Sequence, residues 1–246
     1  MLSETISFVR YNLFLVGVVV AAICAIIVYS EYSGQSGGGS SQFFAALYLG
    51  YCAQNSVLSR TGRVQVTRGM IGFGSYIWKN FLIVLVVMAI VIGVPLAFGT
   101  SFSRGALILI CGGLFAISYP SLLALVGTWP TAGIAGSTSG LADAFARGRH
   151  GFVPTSLRMF AGIILPTIVS LLLMGIAASM SYETGNVFQG GKMSLVALVF
   201  LIVSQSLGTF GICYASIVLA RKFQISEGGS QGNRVLSTSE ISEIFQ

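Results

Sequence analysis

YNLFLVGVVVAAICAIIVYS, Tyr11 to Ser30, stands between Arg10 and Glu31 without one charged residue. At about 1.5 Å per residue it makes a helix of about 30 Å, which is the thickness of a bilayer's hydrocarbon core. The pattern recurs along the chain. Uncharged stretches follow at Tyr32–Ser59, Asn80–Ser103, Gly105–Ala142, Met159–Tyr182 and Met193–Ala220. Their apolar parts predict spans at about 11–30, 43–58, 80–98, 105–126, 159–181 and 193–220. The expected fold is therefore all-α: a polytopic integral membrane protein whose single six-span domain covers residues 1–222, followed by a tail over 223–246.

Composition points the same way. With 54% hydrophobic and 8% charged residues, against an ordinary charged share of about 25%, the chain cannot clothe a soluble domain. The net charge of +6 does not indicate nucleic acid, because the basic residues are split among short connectors and are not clustered on a polar domain.

The placement of those residues sets an orientation. Arg10 precedes the first span; Arg60, Arg63, Arg68 and Lys79 separate the second and third; Arg147, Arg149 and Arg158 separate the fourth and fifth; Arg221, Lys222 and Arg234 follow the sixth. Arg104 and Lys192 alone fall on the opposite side. Basic residues are retained in the cytoplasm, so both termini are expected there, in a multi-pass protein of the cell's inner (plasma) membrane. The competing reading of the start is a cleaved secretory signal, with Arg10 as its basic region and Ser30 near the cut. The length of the apolar run and the interfacial positions of Tyr11 and Tyr29 favour a retained span. Cys24, Cys52, Cys111 and Cys213 lie inside apolar runs without CxxC spacing and read as packing residues.

The connectors differ in character. Glu31–Ser41 is rich in glycine and serine, as expected of a flexible outer loop. The second span is short, and its Gln54 and Asn55, like Gln205 in the sixth, either line a polar path or hydrogen-bond between helices. The segment Thr67–Lys79 mixes Arg68 with apolar and aromatic residues and is expected to lie along the inner membrane surface. Pro95, Pro120 and Pro166 fall inside spans three, four and five.

The most unusual stretch is Gly127–Arg158. It stays uncharged to Ala142, and Gly133, Gly136 and Gly140 are spaced for close helix contact. Two readings stand: a re-entrant or interfacial element between spans four and five, or a helix pressed against a neighbour. An amphipathic turn carrying Leu141 and Phe145 should then break at Gly148. Arg147, Arg149, His150 and Arg158 form a basic patch able to attract anionic lipid headgroups, at about 1 kcal/mol per charge, or serving topology alone.

The run from Tyr119 to Pro166, with Pro130, a small-residue stretch, Leu141-Ala-Asp-Ala-Phe-Ala-Arg147 and a basic turn leading to Arg158, resembles the bacterial six-helix membrane domain found beside some glycerophosphoryl diester phosphodiesterases and in stand-alone inner-membrane proteins. In that family an acidic residue commonly precedes the alanine-rich helix and a hydroxyl sits beside the basic residue. Here Gly136 and Gly148 occupy those neighbourhoods, and none of the 246 residues is expected to form a soluble phosphodiesterase domain. The resemblance implies a helical membrane module and not an esterase.

Reactive groups are scarce. The chain has one histidine, His150, and one aspartate, Asp143, so neither a catalytic set nor a metal or cofactor site is expected. None of the six spans carries an ionisable residue of the kind that drives coupled transport. The reading is a structural, assembly or lipid-contacting membrane component, whose partners are the bilayer, anionic lipid, a membrane protein or a second copy. An uncoupled transporter or channel lined by Gln54, Asn55, Ser118, Tyr119, Ser204 and Gln205 is the alternative. In the tail, Ser237 and Glu240 fit a capping box, and Leu236 and Ile241 its hydrophobic staple, which predicts a short helix over 238–245. Its face of Ile241, Ile244 and Phe245, with Leu236, either docks on the protein or a partner or frays in solvent.

Overall fold

The computed structural model describes residues 1–34, 38–64, 70–98, 103–180, 186–189 and 192–228. They are nearly all helical. In chain order the elements are α1 (Leu2–Tyr11), α2 (Leu13–Ser33), α3 (Gly38–Leu58), α4 (Phe73–Ala97), α5 (Arg104–Val126), α6 (Thr128–Ile134), α7 (Leu141–Arg149) and α8 (Phe152–Ser179). A small antiparallel hairpin, β1 (Phe188–Gln189) and β2 (Lys192–Met193), leads into α9 (Leu195–Gly228). The tail residues Leu236, Ile241, Ile244 and Phe245, with the expected helix over 238–245, lie outside the described residues.

Five helices, α2, α4, α5, α8 and α9, are long and apolar enough to cross a membrane. Their outward faces are apolar, as a lipid solvent requires: Phe14, Leu109, Ile117, Leu171 and Val199 are all exposed. Helix α3 is as long as α2, 21 residues each, yet Gln42, Gln54 and Asn55 keep it less apolar than those five.

Several boundaries differ from those expected. Helix α3 begins at Gly38, inside the stretch read as loop; once Phe43–Leu58 is pinned by packing, each further residue adds a hydrogen bond at little entropic cost. Helix α4 takes in Phe73–Lys79, which the sequence placed along the membrane surface. Gly72 starts it with φ +74, a left-handed turn in which an added methyl would overlap the Gly133 carbonyl of α6. Helix α7 runs through Gly148 to Arg149 and does not break there, because Gly148 lies flat against the Leu125 carbonyl of α5.

Helix α9 is the hub. One core joins Phe8 of α1, Val16 and Ile23 of α2 and Leu49 and Val57 of α3 to its Cys213 and Ile217. A second joins Ile83 of α4, Leu123 of α5 and Met159 of α8 to its Ala215, Val218 and Leu219. A third packs Tyr51 and Cys52 of α3 with Tyr76 of α4 and Ile134 of α6.

The three intrahelical prolines leave carbonyls four residues back without an N–H donor. Two of those carbonyls meet a neighbouring helix. The Cys111 thiol of α5 donates to Val91 O, freed by Pro95, at 3.6 Å. Gly211 of α9 sits against Gly162 O, freed by Pro166, so closely that a methyl there would collide with it. At the end of the bundle where α2 finishes, Glu31 Oε2 accepts the Val187 and Phe188 N–H groups at 2.7 and 3.4 Å, which latches the hairpin segment over α2.

Candidate functional site

At the opposite end, the polar side chains gather where α1, α6, α7 and the last turns of α9 meet. The C-terminal end of a helix leaves its last four carbonyls unpaired, and as the negative end of the helix dipole it favours a cation or N–H donor beside them. The segment Arg221-Lys222-Phe223-Gln224 of α9 supplies such donors to three helices at once. Lys222 Nζ donates to Ala124 O of α5 and to Gly148 O of α7, each at 3.2 Å. Gln224 Nε2 donates to Val57 O of α3 at 2.9 Å. Arg221 Nη1 donates to Gln224 Oε1 at 2.9 Å, which fixes the amide that makes this last contact.

Two ion pairs close the layer. Arg221 Nε meets Glu4 Oε2 of α1 at 3.3 Å, with side chains only 8% and 11% exposed. Arg147 Nη1 meets Glu227 Oε1 of α9 at 3.1 Å, its Nε donates to Thr128 Oγ1 of α6 at 3.4 Å, and its guanidinium lies 5.2 Å from the Phe223 ring centre. A buried pair of the first kind contributes mainly by keeping each charge from being stranded.

Helix α6 is clamped into the bundle beneath these contacts. Thr131 Oγ1 donates to Gln54 Oε1 of α3 at 2.8 Å, with both side chains buried. Lys79 Nζ of α4 donates to Trp129 O at 3.2 Å and stands 5.4 Å from the indole centre. Nearby, Asn12 Nδ2 donates to Gly62 O at 3.0 Å and its Oδ1 accepts from Val64 N at 2.9 Å, which ties the junction of α1 and α2 to the chain beyond α3.

The residues singled out in sequence divide accordingly. Arg147 turns inward, whereas Arg149, His150 and Arg158 are exposed. They share the corner between α7 and α8 with exposed Phe145, Val153 and Leu157, whereas exposed Leu141 starts α7 at its far end. Gly133 lies against Ser75 and Lys79 of α4, while Gly136 has no neighbour within 4 Å of an added Cβ and turns the chain with φ +67. Gly140 precedes α7, its N–H donating to Asp143 Oδ2 at 2.8 Å. Asp143 and His150 therefore lie at opposite ends of α7, about 10 Å apart along its axis. Gln54 is sealed against α6, and Asn55 and Gln205 are half-buried on different helices.

In the sequence alone Lys222 marks topology, and Glu4, Asn12, Gln224 and Glu227 do not stand out as members of one layer. The available signal was acidic Glu4, Asp143 and Glu227 on the side richest in arginine. Among the described residues no cluster of three His, Cys, Asp or Glu is placed to hold a metal ion. No protein-family model matches the chain, and neither curated proteins nor solved structures yield a match.

Proposed function

We propose that this is a six-span inner-membrane protein, with α3 as the sixth span and both termini cytoplasmic, acting as a structural, assembly or lipid-contacting component and not as an enzyme. The observation that carries the reading is the division of labour among its basic residues. Arg147, Arg221 and Lys222 are held in internal contacts, and Arg149 and Arg158 are left exposed beside Phe145, Val153 and Leu157. Cations flanked by apolar side chains suit a surface lying at the headgroup level of an anionic leaflet. In this reading α6 and α7 form an interfacial element closing the cytoplasmic end. The resemblance over Tyr119–Pro166 adds the expectation of a bacterial helical membrane module.

Replacing Arg149 and Arg158 together by Gln, with Arg147 kept for its internal pair, should lower the anionic lipid retained on purification, by about fivefold per charge. Native mass spectrometry checks this, and unchanged retention would contradict lipid contact at that corner. An uncoupled transporter is the second reading, favoured by the hydroxyls of Ser118 and Thr209, which are buried without a hydrogen-bond partner among the described residues. Solute flux into liposomes holding the pure protein would select that reading.

A further inference from the structure

An open groove of about 670 Å³ runs between α1–α2 and α9. Gly17 and Ala21 form part of its wall, Phe210 and Ile202 face them from α9, and a Cβ built on Gly17 meets nothing within 4 Å. Ser206 carries the one hydroxyl among the described lining residues, and it already donates to Ile202 O at 2.7 Å. Apart from the weakly donating Cys24 thiol, the described lining offers no free donor to a polar ligand. It suits hydrocarbon.

Length and charge specify which hydrocarbon. From Leu13 to Cys24, the extent of its lining on α2, is about 16 Å at the helical rise. That matches one leaflet, half of a core of about 30 Å. Arg10 is exposed and makes no salt bridge among the described residues. It lies between Val9 and Leu13, both of which line the groove, at the α1–α2 junction that forms the groove's cytoplasmic mouth. A second copy seated there by two-fold symmetry would bring the two Arg10 side chains together, which like charge opposes. A phosphate, in contrast, fits the guanidinium fork.

We propose that this groove holds one acyl chain of an anionic phospholipid, whose headgroup phosphate sits on Arg10. The proposal rests on the reading of the chain as a lipid-contacting membrane protein, and it adds a defined site remote from the α7–α8 corner.

The test uses the full chain in nanodiscs of phosphatidylglycerol and phosphatidylcholine with identical acyl chains, followed by native mass spectrometry of the lipid that survives extraction. The wild type should retain one lipid in the groove, chiefly phosphatidylglycerol, in addition to lipid held at the α7–α8 corner. Arg10→Gln should lower the preference for phosphatidylglycerol about fivefold, the worth of one surface cation, and Arg10→Lys should keep most of it. Gly17→Phe, which fills the groove from a position with free space, should abolish retention of that lipid at unchanged helicity and melting temperature. Retention unaffected by Gly17→Phe, or a preference unaffected by Arg10→Gln, would overturn the proposal. So would a wild-type dimer that Gly17→Phe converts to monomer, since a second copy would then be the occupant. If the Arg149/Arg158 double variant lowers anionic retention while Gly17→Phe does not, the groove proposal alone fails. If none of these variants changes retention, the lipid-contact reading fails with it.

Discussion

Glu4→Leu should lower the stability of the purified protein by about 3–5 kcal/mol, and adding Arg221→Met should restore most of it. The reason is the burial of the pair, 8% and 11% exposed at 3.3 Å. Removing Glu4 leaves the guanidinium in a site made for a salt bridge, with Gln224 as its other hydrogen-bond partner. Removing both charges takes away the desolvation cost together with the attraction. At about 2–4 °C per kcal/mol, the single variant should lose about 6–20 °C in melting temperature. A double-mutant cycle by thermal melting in detergent measures this coupling. Additive losses would mean that the two charges are independently solvated and that α1 is not anchored to α9.

Gly148→Ala should destabilise by more than about 3 kcal/mol, beyond the usual range of about 1–3 for overpacking, because the obstacle is the Leu125 backbone and not a side chain that can rotate away. Helix α7 would have to lift from α5, and Lys222 would lose the Gly148 carbonyl it shares with Ala124. The same substitution at Gly175 in α8, where a Cβ meets nothing within 4 Å, should be neutral or stabilising by up to about 1 kcal/mol through helix propensity. Chemical denaturation of the two variants side by side gives the comparison. A Gly148→Ala protein as stable as Gly175→Ala would contradict the close contact between α7 and α5.

The apolar helices were legible because the absence of charge over twenty residues is a local property. The run Tyr11–Ser30 needs no tertiary information to become α2, and its helix differs only by a few residues at each end. The candidate site was less legible, because it depends on which side of a short helix faces the bundle. Arg147 and Arg149 look alike in sequence, yet they point to different sides of α7, and only the first meets Glu227 and Phe223, distant in the chain. Glu4 and Arg221 stand at opposite ends of the sequence and meet only because α1 and α9 run side by side. Gly133, Gly136 and Gly140 have equal spacing potential, but contact with α4 is made by Gly133 alone, while Gly136 serves a turn. The amides of α3 illustrate the same limit: Gln54 lowers the apolarity of its helix, and its partner Thr131 lies in a segment whose own position the sequence left between two readings.

If α3 crosses the membrane as the sixth span proposed above, the Arg10, Arg147 and Arg221 ends share one side of it. Single cysteines introduced as Ser41→Cys and Arg60→Cys, at exposed positions near the two ends of that helix, report on it directly through a membrane-impermeant maleimide. Native Cys24, Cys52 and Cys213 are buried and Cys111 is half-buried, which leaves a low background. In intact cells Ser41→Cys should label and Arg60→Cys should label only after permeabilisation; labelling of both from the same side would contradict the six-span arrangement.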